Sequence, residues 1–509
     1  MKRAFLLILV ACSFLLRIWH GNEFFFWNVD EEIIALTVKR IIIDHIPQLI
    51  GFPIPGGIYL GPLVYYLISL FFVLAFMDPM KLPIFAAIVG TLSVFLVYKV
   101  GKTIFEDEKI GIIASFLYAF SYLVNIYTRI FNGLIFVPLI ALTAYWLLFK
   151  IIKTKSQKYI LILGLLLSVF AQDEAASLSL IVLTILCFFV FKIRIALKNL
   201  VNIVGVFVLA HLSLLIFDLR HNHYLIKSFV NSLSQPDQKT ATLLQFESIY
   251  KAILIIPSTM TRFLVINGPL NIADQILPCA DLLATRVYTL NYAVMIIAVF
   301  ALFYFIFKTV KNKSATGNRI IFLYLLLIIL GIAAFNIFLG GYLFEWMLVV
   351  FFPAFAFIYA YLLVHIWKYD FWGRIVVLLF LFGFAVLNVR SIFLTNADFG
   401  LANKVQAVKY AIDKVGGQPF ELDSIGSCYA QGYIYLFWQG GQLPVKSYAD
   451  DMFSSTLRLN PNNIKPKMRV VIVNPSATET YDFKTKYQKY LKTADYRARF
   501  GKIEVLVGD

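Results

Sequence analysis

Hydrophobic positions along this chain run in long blocks broken by short polar turns, a pattern that predicts helices long enough to cross a membrane. Apolar stretches of about 17–25 residues, the length of one crossing, fall at 4–19, 57–76, 83–101, 110–126, 132–150, 159–191, 200–218, 288–308, 319–339, 346–367 and 374–394. The 159–191 run is about 33 residues long and is interrupted by Gln172-Asp173-Glu174, so it reads as two spans joined by a hairpin. The opening MKRAFLLILVAC has a basic start and a stretch, Leu9 to Cys12, shaped like a lipoprotein cleavage box. The apolar run continues through Phe14, Leu15 and Leu16 to Trp19, so 4–19 is expected to be a retained first span.

Charge orients these spans. The clusters Lys150/Lys153/Lys155/Lys158, Lys192/Arg194/Lys198, Lys308/Lys311/Lys313/Arg319 and Lys368/Arg374 sit between apolar runs and read as cytoplasmic, as does Lys2-Arg3. Counting back from Lys150, span 83–101 ends inside, while span 4–19 ends outside, so 57–76 breaks the parity if it crosses. That segment opens with Gly56-Gly57 and contains Gly61-Pro62. It is expected to be re-entrant or to lie along the outer interface, buried by protein. About eleven crossings then remain, with the N-terminus cytoplasmic and the tail extracytoplasmic.

Composition agrees with a multi-pass membrane protein: 509 residues, 60% hydrophobic, 17% aromatic, and a mean hydropathy of +0.80. The net charge of +16 comes mainly from the cationic clusters between spans, which argues against a nucleic-acid partner. Four cysteines, Cys12, Cys187, Cys279 and Cys428, carry no CxxC spacing and indicate neither a zinc knuckle nor a disulfide framework. The tail, 395–509, is more polar. Helical periodicity over 401–415 and strand-like runs at 469–473 and 502–507 predict a small α/β domain behind a transmembrane domain of residues 1–394.

The polar residues that the topology brings to the outer face are the candidates for chemistry. Asp30, Glu31 and Glu32 lie in the first outer loop, Arg129 and Asn132 in YTRIFNG, and Asp173 and Glu174 on the 159–191 hairpin. Arg220, His221 and His223, in DLRHNH, open a long outer loop from about Asp218 to Thr285, and Tyr342 and Glu345 stand at the outer end of a later span. Ionisable groups at membrane depth usually line a cavity or pathway. The same residues also fit plainer roles. Asp30 to Ile46 is amphipathic, so Asp30 can be a helix N-cap, with Glu31 and Glu32 favoured by the helix dipole. Asp173-Glu174 can simply end a hairpin. His221 and His223 lack a third ligand at convincing spacing for a metal.

The order of a first span ending in Arg17, then NVDEEIIAL, then Pro62-Leu63-Val64-Tyr65-Tyr66, then Thr128-Arg129, resembles the GT-C superfamily of integral-membrane glycosyltransferases. Within it, the branch of protein O-mannosyltransferases and lipid A aminoarabinose transferases is the most similar, over roughly residues 1–400. The resemblance implies an all-α polytopic fold with outer juxtamembrane helices. It also implies inverting transfer of a sugar from a polyprenyl-phosphate donor to a hydroxyl of a lipid, glycan or protein acceptor at the outer face of the membrane. By the same resemblance Asp30 is the general base, with Glu31 as its helper. Arg129 and Arg17, with Arg220, Lys39 and Arg40 behind them, meet the donor phosphate, since a bidentate guanidinium suits that task. Tyr59, Tyr65, Asn132, Asp173, Glu174, His221, His223 and Glu345 line the cavity. Relatives place an acidic residue after the Arg of the second outer loop where this chain has Asn132-Gly133. A divalent cation at Asp30, Asp173 and Glu174 therefore stays open. The Trp-Trp-Asp motif of oligosaccharyltransferases is absent. Competing readings are a transporter or flippase for lipid-linked sugars, set against it by the lack of an internal repeat, and a glycan polymerase or ligase.

Overall fold

The structure, a computed structural model, describes residues 2–54, 58–172, 177–234, 246–267, 270, 291–312, 314–339, 344–426, 431–448, 464–474 and 481–508. Helix α1 (Lys2–Ile18) carries Arg17 in its last turn, and a one-turn helix α2 (Gly21–Phe24) leads into α3 (Val29–Ile42), whose first turn carries all three acidic residues. A short antiparallel hairpin, β1 (Pro53–Ile54) and β2 (Ile58–Tyr59), precedes α4 (Leu63–Leu74). The 12 residues of α4 make about 18 Å of helix at 1.5 Å per residue, well short of a hydrocarbon core of roughly 30 Å.

The bundle continues with α5 (Leu82–Ile104), α6 (Glu108–Phe120), α7 (Tyr122–Tyr127), α8 (Val137–Thr154), α9 (Gln157–Phe170), α10 (Leu178–Val190), α11 (Leu197–Ala210) and α12 (Leu212–Arg220). After α13 (Tyr224–Ser234) and α14 (Phe246–Leu264) come α15 (Tyr292–Lys311), α16 (Thr316–Leu339), a 3-10 turn at Glu345–Phe351 that runs into α17 (Phe352–Tyr369), and α18 (Phe371–Phe393). Among the described residues six helices are long and apolar enough to cross a membrane, seven if α11 and α12, bent by 49°, count as one broken span. The other runs expected to cross hold helices that, like α4, are shorter than a full span: α1, α9, α10, and the pair α6–α7, which breaks where Ser121 leaves helical geometry and caps the Val124 amide.

One expected loop is not a loop. The stretch from about Asp218 to Thr285 contains α13 and α14, and α14 buries Ile255, Ile256, Met260, Phe263 and Leu264. Its Ser, Thr and Arg residues and the internal Pro257 lower its hydropathy below that of a span, although its apolar face keeps helical spacing. At the bundle centre stands α17: its span is 94% buried, against 22% for α18 and 28% for α15, which face outward. Helices in lipid associate through close packing and not through hydrophobic transfer. Accordingly α5 and α6 touch so closely that a Cβ on Gly111 would lie 2.6 Å from the Tyr98 carbonyl oxygen.

Ion pairs gather the cationic turns at one end. Lys153 pairs with Glu106 at 2.9 Å and Lys368 with Asp107 at 2.7 Å, which ties the α5–α6 turn to the α8–α9 and α17–α18 turns. Lys155 reaches the Phe191 carbonyl at the end of α10. Helices α2 and α3, the 128–132 loop and the C-terminal region occupy the other end, where the Thr395 hydroxyl bonds Tyr122 Oη at 2.8 Å. The C-terminal region comprises α19 (Leu401–Val415), β3 (Phe420–Ile425), α20 (Ile434–Gln439), β4 (Lys446–Ser447), β5 (Met468–Val473), α21 (Tyr481–Thr493), β6 (Ala494–Phe500) and β7 (Ile503–Gly508). Its sheet has the order β4-β3-β5-β7-β6, with β3 parallel to β4 and β5, and β7 antiparallel to β5 and β6. The periodic 401–415 segment and both strand-like runs are therefore the elements the sequence predicts.

Candidate active site

The chain enters α3 through Phe25-Phe26-Trp27-Asn28, which runs beside the 128–132 loop: Phe26 and Ile130 form a parallel bridge, and the Phe26 amide donates to the Arg129 carbonyl at 3.1 Å. Asn28 is the N-cap, and its backbone N–H donates to Glu31 Oε2 at 3.0 Å, the half of a capping box that a Glu at the third helical position supplies. The other Glu31 oxygen accepts from Asn132 Nδ2 at 3.2 Å. Glu31 is thus fixed from two loops about a hundred residues apart in sequence. Asp30 beside it is half-buried, and among the described residues its carboxylate accepts no hydrogen bond.

Burial pushes the Asp30 carboxyl above the usual carboxylate range. Glu31 is raised by burial and then by the Asp30 charge, against which the Asn28 amide and Lys404 act. Two carboxyls this close do not both ionise readily, so they titrate as a pair. Tyr65, buried on α4, is hydrogen-bonded to Thr37, two turns along α3 from Asp30, and lies within electrostatic reach of both Asp30 and Tyr59. Tyr59 in turn contacts Phe217 and Tyr224, ring centroids 6.2 and 6.5 Å away, at the α12–α13 turn. Glu31 and Asn132 are therefore in contact beside Asp30, Tyr65 lies within electrostatic reach of Asp30 and Tyr59, and Tyr59 meets the α12–α13 turn.

The DLRHNH motif builds that turn. Asp218 is buried and accepts from the Leu225 amide at 2.7 Å and the Ile226 amide at 3.3 Å, while His223 Nδ1 lies 3.3 Å from its other oxygen. His221 stacks on Phe217 with ring centroids 4.0 Å apart, and its Nδ1 contacts the Phe217 carbonyl. Both histidines serve the local turn, and Arg220 is exposed at the end of α12. Among the described residues no three His, Cys, Asp or Glu side chains converge as a metal site. Asp173 and Glu174 lie outside the described residues. Their neighbour Gln172 is buried, donates to the Ala210 carbonyl at 3.1 Å and packs against Gly61, so the α9 end abuts the start of α4.

Of the two arginines expected at the phosphate, Arg129 is held by backbone carbonyls, while Arg17 keeps its buried Nε and Nη2 without a hydrogen-bond partner among the described residues. Arg129 donates to the Trp19 and Leu16 carbonyls at 3.1 and 3.0 Å and covers the Phe24 ring, which caps the C-terminal end of α1. Arg17 donates to Ser13 Oγ at 2.6 Å and to the Ser13 carbonyl at 3.1 Å, with the Ala119 carbonyl at 3.4 Å. Glu345, expected as a cavity residue, is engaged by Arg262 through Nε at 2.7 Å and Nη2 at 3.2 Å, with Tyr127 Oη at 3.2 Å. Lys39 pairs with Asp44 at 2.7 Å. A surface cleft of about 610 Å³ opens beside His20, Glu23 and Lys81, and Asp30 is not in its lining.

Sequence reasoning missed three groups here. Glu32, read as a dipole-favoured first-turn residue, is fully buried and binds backbone amides of the C-terminal region. Lys404, also fully buried, stands in the stripe Leu401, Lys404, Val408, Ala411 and Val415 of α19. A lysine at an apolar position of an amphipathic helix was the available signal. Arg262 stands beside Phe263 on the buried face of α14 and shows the same mark.

A family model described as dolichyl-phosphate-mannose-protein mannosyltransferase matches residues 60–217, about a third of the chain. No curated protein matches the chain. Among solved structures, the oligosaccharyltransferase AglB of Archaeoglobus fulgidus, in complex with an inhibitory peptide and a dolichol-phosphate, is 14% identical. That alignment covers 99% of this chain and 74% of AglB, with a TM-score of 0.50. ArnT of Cupriavidus metallidurans in the apo state is 10% identical, covering 99% of this chain and 98% of ArnT at a TM-score of 0.50. The same ArnT bound to undecaprenyl phosphate gives 10% identity, 100% and 98% coverage and a TM-score of 0.49. The chain shares the fold of these two proteins, a polytopic helical domain followed by a smaller C-terminal region. The likeness read from Arg17, the NVDEE stretch and the Tyr-Tyr segment therefore holds at the level of the fold.

Proposed function

We propose that the chain is an inverting membrane glycosyltransferase that moves a sugar from a polyprenyl-phosphate donor to an acceptor hydroxyl, with Asp30 as general base. The observation that carries this reading is the environment of Asp30: a half-buried carboxylate that accepts no hydrogen bond among the described residues, beside a Glu31 held by Asn28 and Asn132. The family match over 60–217 and the dolichol-phosphate in the AglB complex support a lipid-linked donor.

In the proposed step the acceptor O–H gives its proton to the Asp30 carboxylate as its oxygen forms a bond to the anomeric carbon. The bond from that carbon to the phosphate oxygen breaks on the opposite face, and polyprenyl phosphate leaves with the electron pair. The growing phosphate charge calls for a cation. Arg17, whose buried Nε and Nη2 have no hydrogen-bond partner among the described residues, and Arg220, exposed at the end of α12, are the arginines we assign to it, because Arg129 donates to the Trp19 and Leu16 carbonyls. Glu31 keeps Asp30 positioned and shares its proton equilibrium. Asp30 and Glu31 supply two carboxylates, too few by themselves to define a cation site, and no step is routed through a metal.

Topologically, the end with the cationic turns is assigned to the cytoplasm, so the Asp30 site and residues 395–509 face outward. We divide the chain into a transferase domain of residues 1–394 and an exported α/β domain of 395–509. The test is to offer purified protein a panel of polyprenyl-phosphate sugars with hydroxyl acceptors and measure released polyprenyl phosphate. Turnover by wild type and its loss in Asp30→Asn support the reading, and undiminished turnover in that variant defeats it.

A further inference from the structure

We propose that Glu32 and Lys404 are positioning residues through which the C-terminal α/β region fixes the helical turn that carries Asp30, making that region a working part of the transfer site. This rests on the reading of Asp30 as the base. Glu32 projects from the same turn as Asp30, and among the described residues its donors come from the C-terminal region. Oε1 accepts from the Ile434 amide at 2.5 Å and the Tyr435 amide at 3.4 Å; Oε2 accepts from the Gly432 amide at 3.2 Å and the Tyr448 hydroxyl at 3.4 Å. A buried carboxylate needs such donors, since an unsatisfied one is strongly penalised.

The grip extends to the residues ahead of Asp30. The Trp27 indole N–H donates to the Gly432 carbonyl at 2.8 Å. Gly432 has φ +90° and packs so closely on Asn28 that a Cβ would lie 3.2 Å from its backbone atoms, so a side chain there would be strained on two counts. Lys404 donates from Nζ to the Gln431 carbonyl at 2.6 Å and lies 4.8 Å from the Tyr433 ring centroid. Trp27, Asn28 and Glu32 thus bracket Asp30, and all three meet one short stretch, residues 431–435.

The charges couple as well as the contacts. Burial pushes Glu32 up to about 7 and Lys404 down to about 7, and each favours the charged form of the other. The Lys404 cation also acts on Glu31, which interacts with Asp30. The titratable groups facing this cluster are Asp30, Glu31 and Glu32 on α3, Lys404 on α19, Tyr65 on α4, and Tyr433 and Tyr448 from the C-terminal region. Without the lysine the carboxyl groups hold their protons to higher pH.

The test uses the full chain in nanodiscs, with two readouts: steady-state release of polyprenyl phosphate, and hydrogen exchange of the peptide spanning 431–436. Glu32→Gln places an amide NH2 against hydrogen-bond donors. It should speed exchange in that peptide and lower kcat about tenfold to hundredfold, as a misplaced base does, with donor KM changed less than about twofold. Lys404→Met should move the midpoint of the pH–rate profile upward, and Lys404→Arg should return it toward wild type, effects a merely structural lysine would not produce. If Glu32→Gln does not fold, the Lys404 pair carries the test. Unchanged kcat in Glu32→Gln, or a fall in kcat without faster exchange, would overturn the proposal, as would an unmoved pH midpoint in Lys404→Met. Asp30→Asn separates the two readings: it should lose turnover and keep slow exchange at 431–436. Normal turnover there strikes the base assignment, while the exchange of the Glu32 variants still decides the docking.

Discussion

Three consecutive carboxylates, Asp30, Glu31 and Glu32, meet three different environments because a helix turn fans its side chains through about 100° per residue. Asp30 is half-buried, Glu31 answers to Asn28 and Asn132, and Glu32 answers to Gly432, Ile434 and Tyr435. Because burial and proximity raise the Asp30–Glu31 pair, the proposed base is lost to protonation as pH falls through a range above that of ordinary carboxylates. Transfer should therefore rise with pH with a midpoint above about 4, the normal aspartate value, which a pH–rate profile measures; a midpoint at the normal value would contradict the burial argument. Arg129→Ala should lower thermal stability by about 1–3 kcal/mol through the uncapped α1 carbonyls and leave donor KM nearly unchanged. A raised KM with intact stability would return Arg129 to the phosphate. For the buried Arg262–Glu345 pair, either single replacement by an apolar residue should cost about 3–5 kcal/mol, and the double replacement much less, as read by a double-mutant cycle of melting in detergent. The Asp30, Glu31 and Asn132 neighbourhood was legible because short motifs carried it. The roles of Glu32 and Arg262 were not, since their partners lie 400 and 83 residues away and nothing local marks the pairing.

Hydropathy sees elements that are uniformly apolar and misses amphipathic ones. Helices α5, α8, α15 and α18 coincide closely with runs visible in the sequence. Helix α14 escaped because Ser258, Thr259, Thr261 and Arg262 interrupt the run, and all four are buried by neighbouring helices. The 57–76 run is apolar enough for a span; it contains the second strand of the hairpin and a 12-residue helix, and charge parity expects it not to cross. A non-crossing α4 leaves its two flanks on one side of the membrane. In a cysteine-free background, Asn22→Cys and Phe76→Cys should both react with an impermeant thiol reagent from the outer side; labelling from opposite sides would mean that α4 crosses. Phe76 is 82% exposed, so its replacement leaves packing intact.

The molecule as a whole places its cationic turns at one end and its candidate chemistry at the other, with residues 431–435 of the C-terminal region seated against α3. Cys introduced at Tyr496, exposed on β6, should accordingly label from outside in intact cells, and protection there until lysis would reverse the assigned orientation. The class of fold was readable because spans, parity and the order of Arg17, Asp30, Tyr65 and Arg129 agree with one another. The seating of the C-terminal region was not, because Lys404 and Gly432 meet α3 only in three dimensions. The central claim, that Asp30 takes the acceptor proton in transfer from a lipid phosphate, is tested most directly by polyprenyl phosphate release from wild type and Asp30→Asn at saturating donor. The account predicts a loss of about 10²–10⁴-fold in the variant with donor binding retained; turnover of Asp30→Asn at the wild-type rate would contradict it.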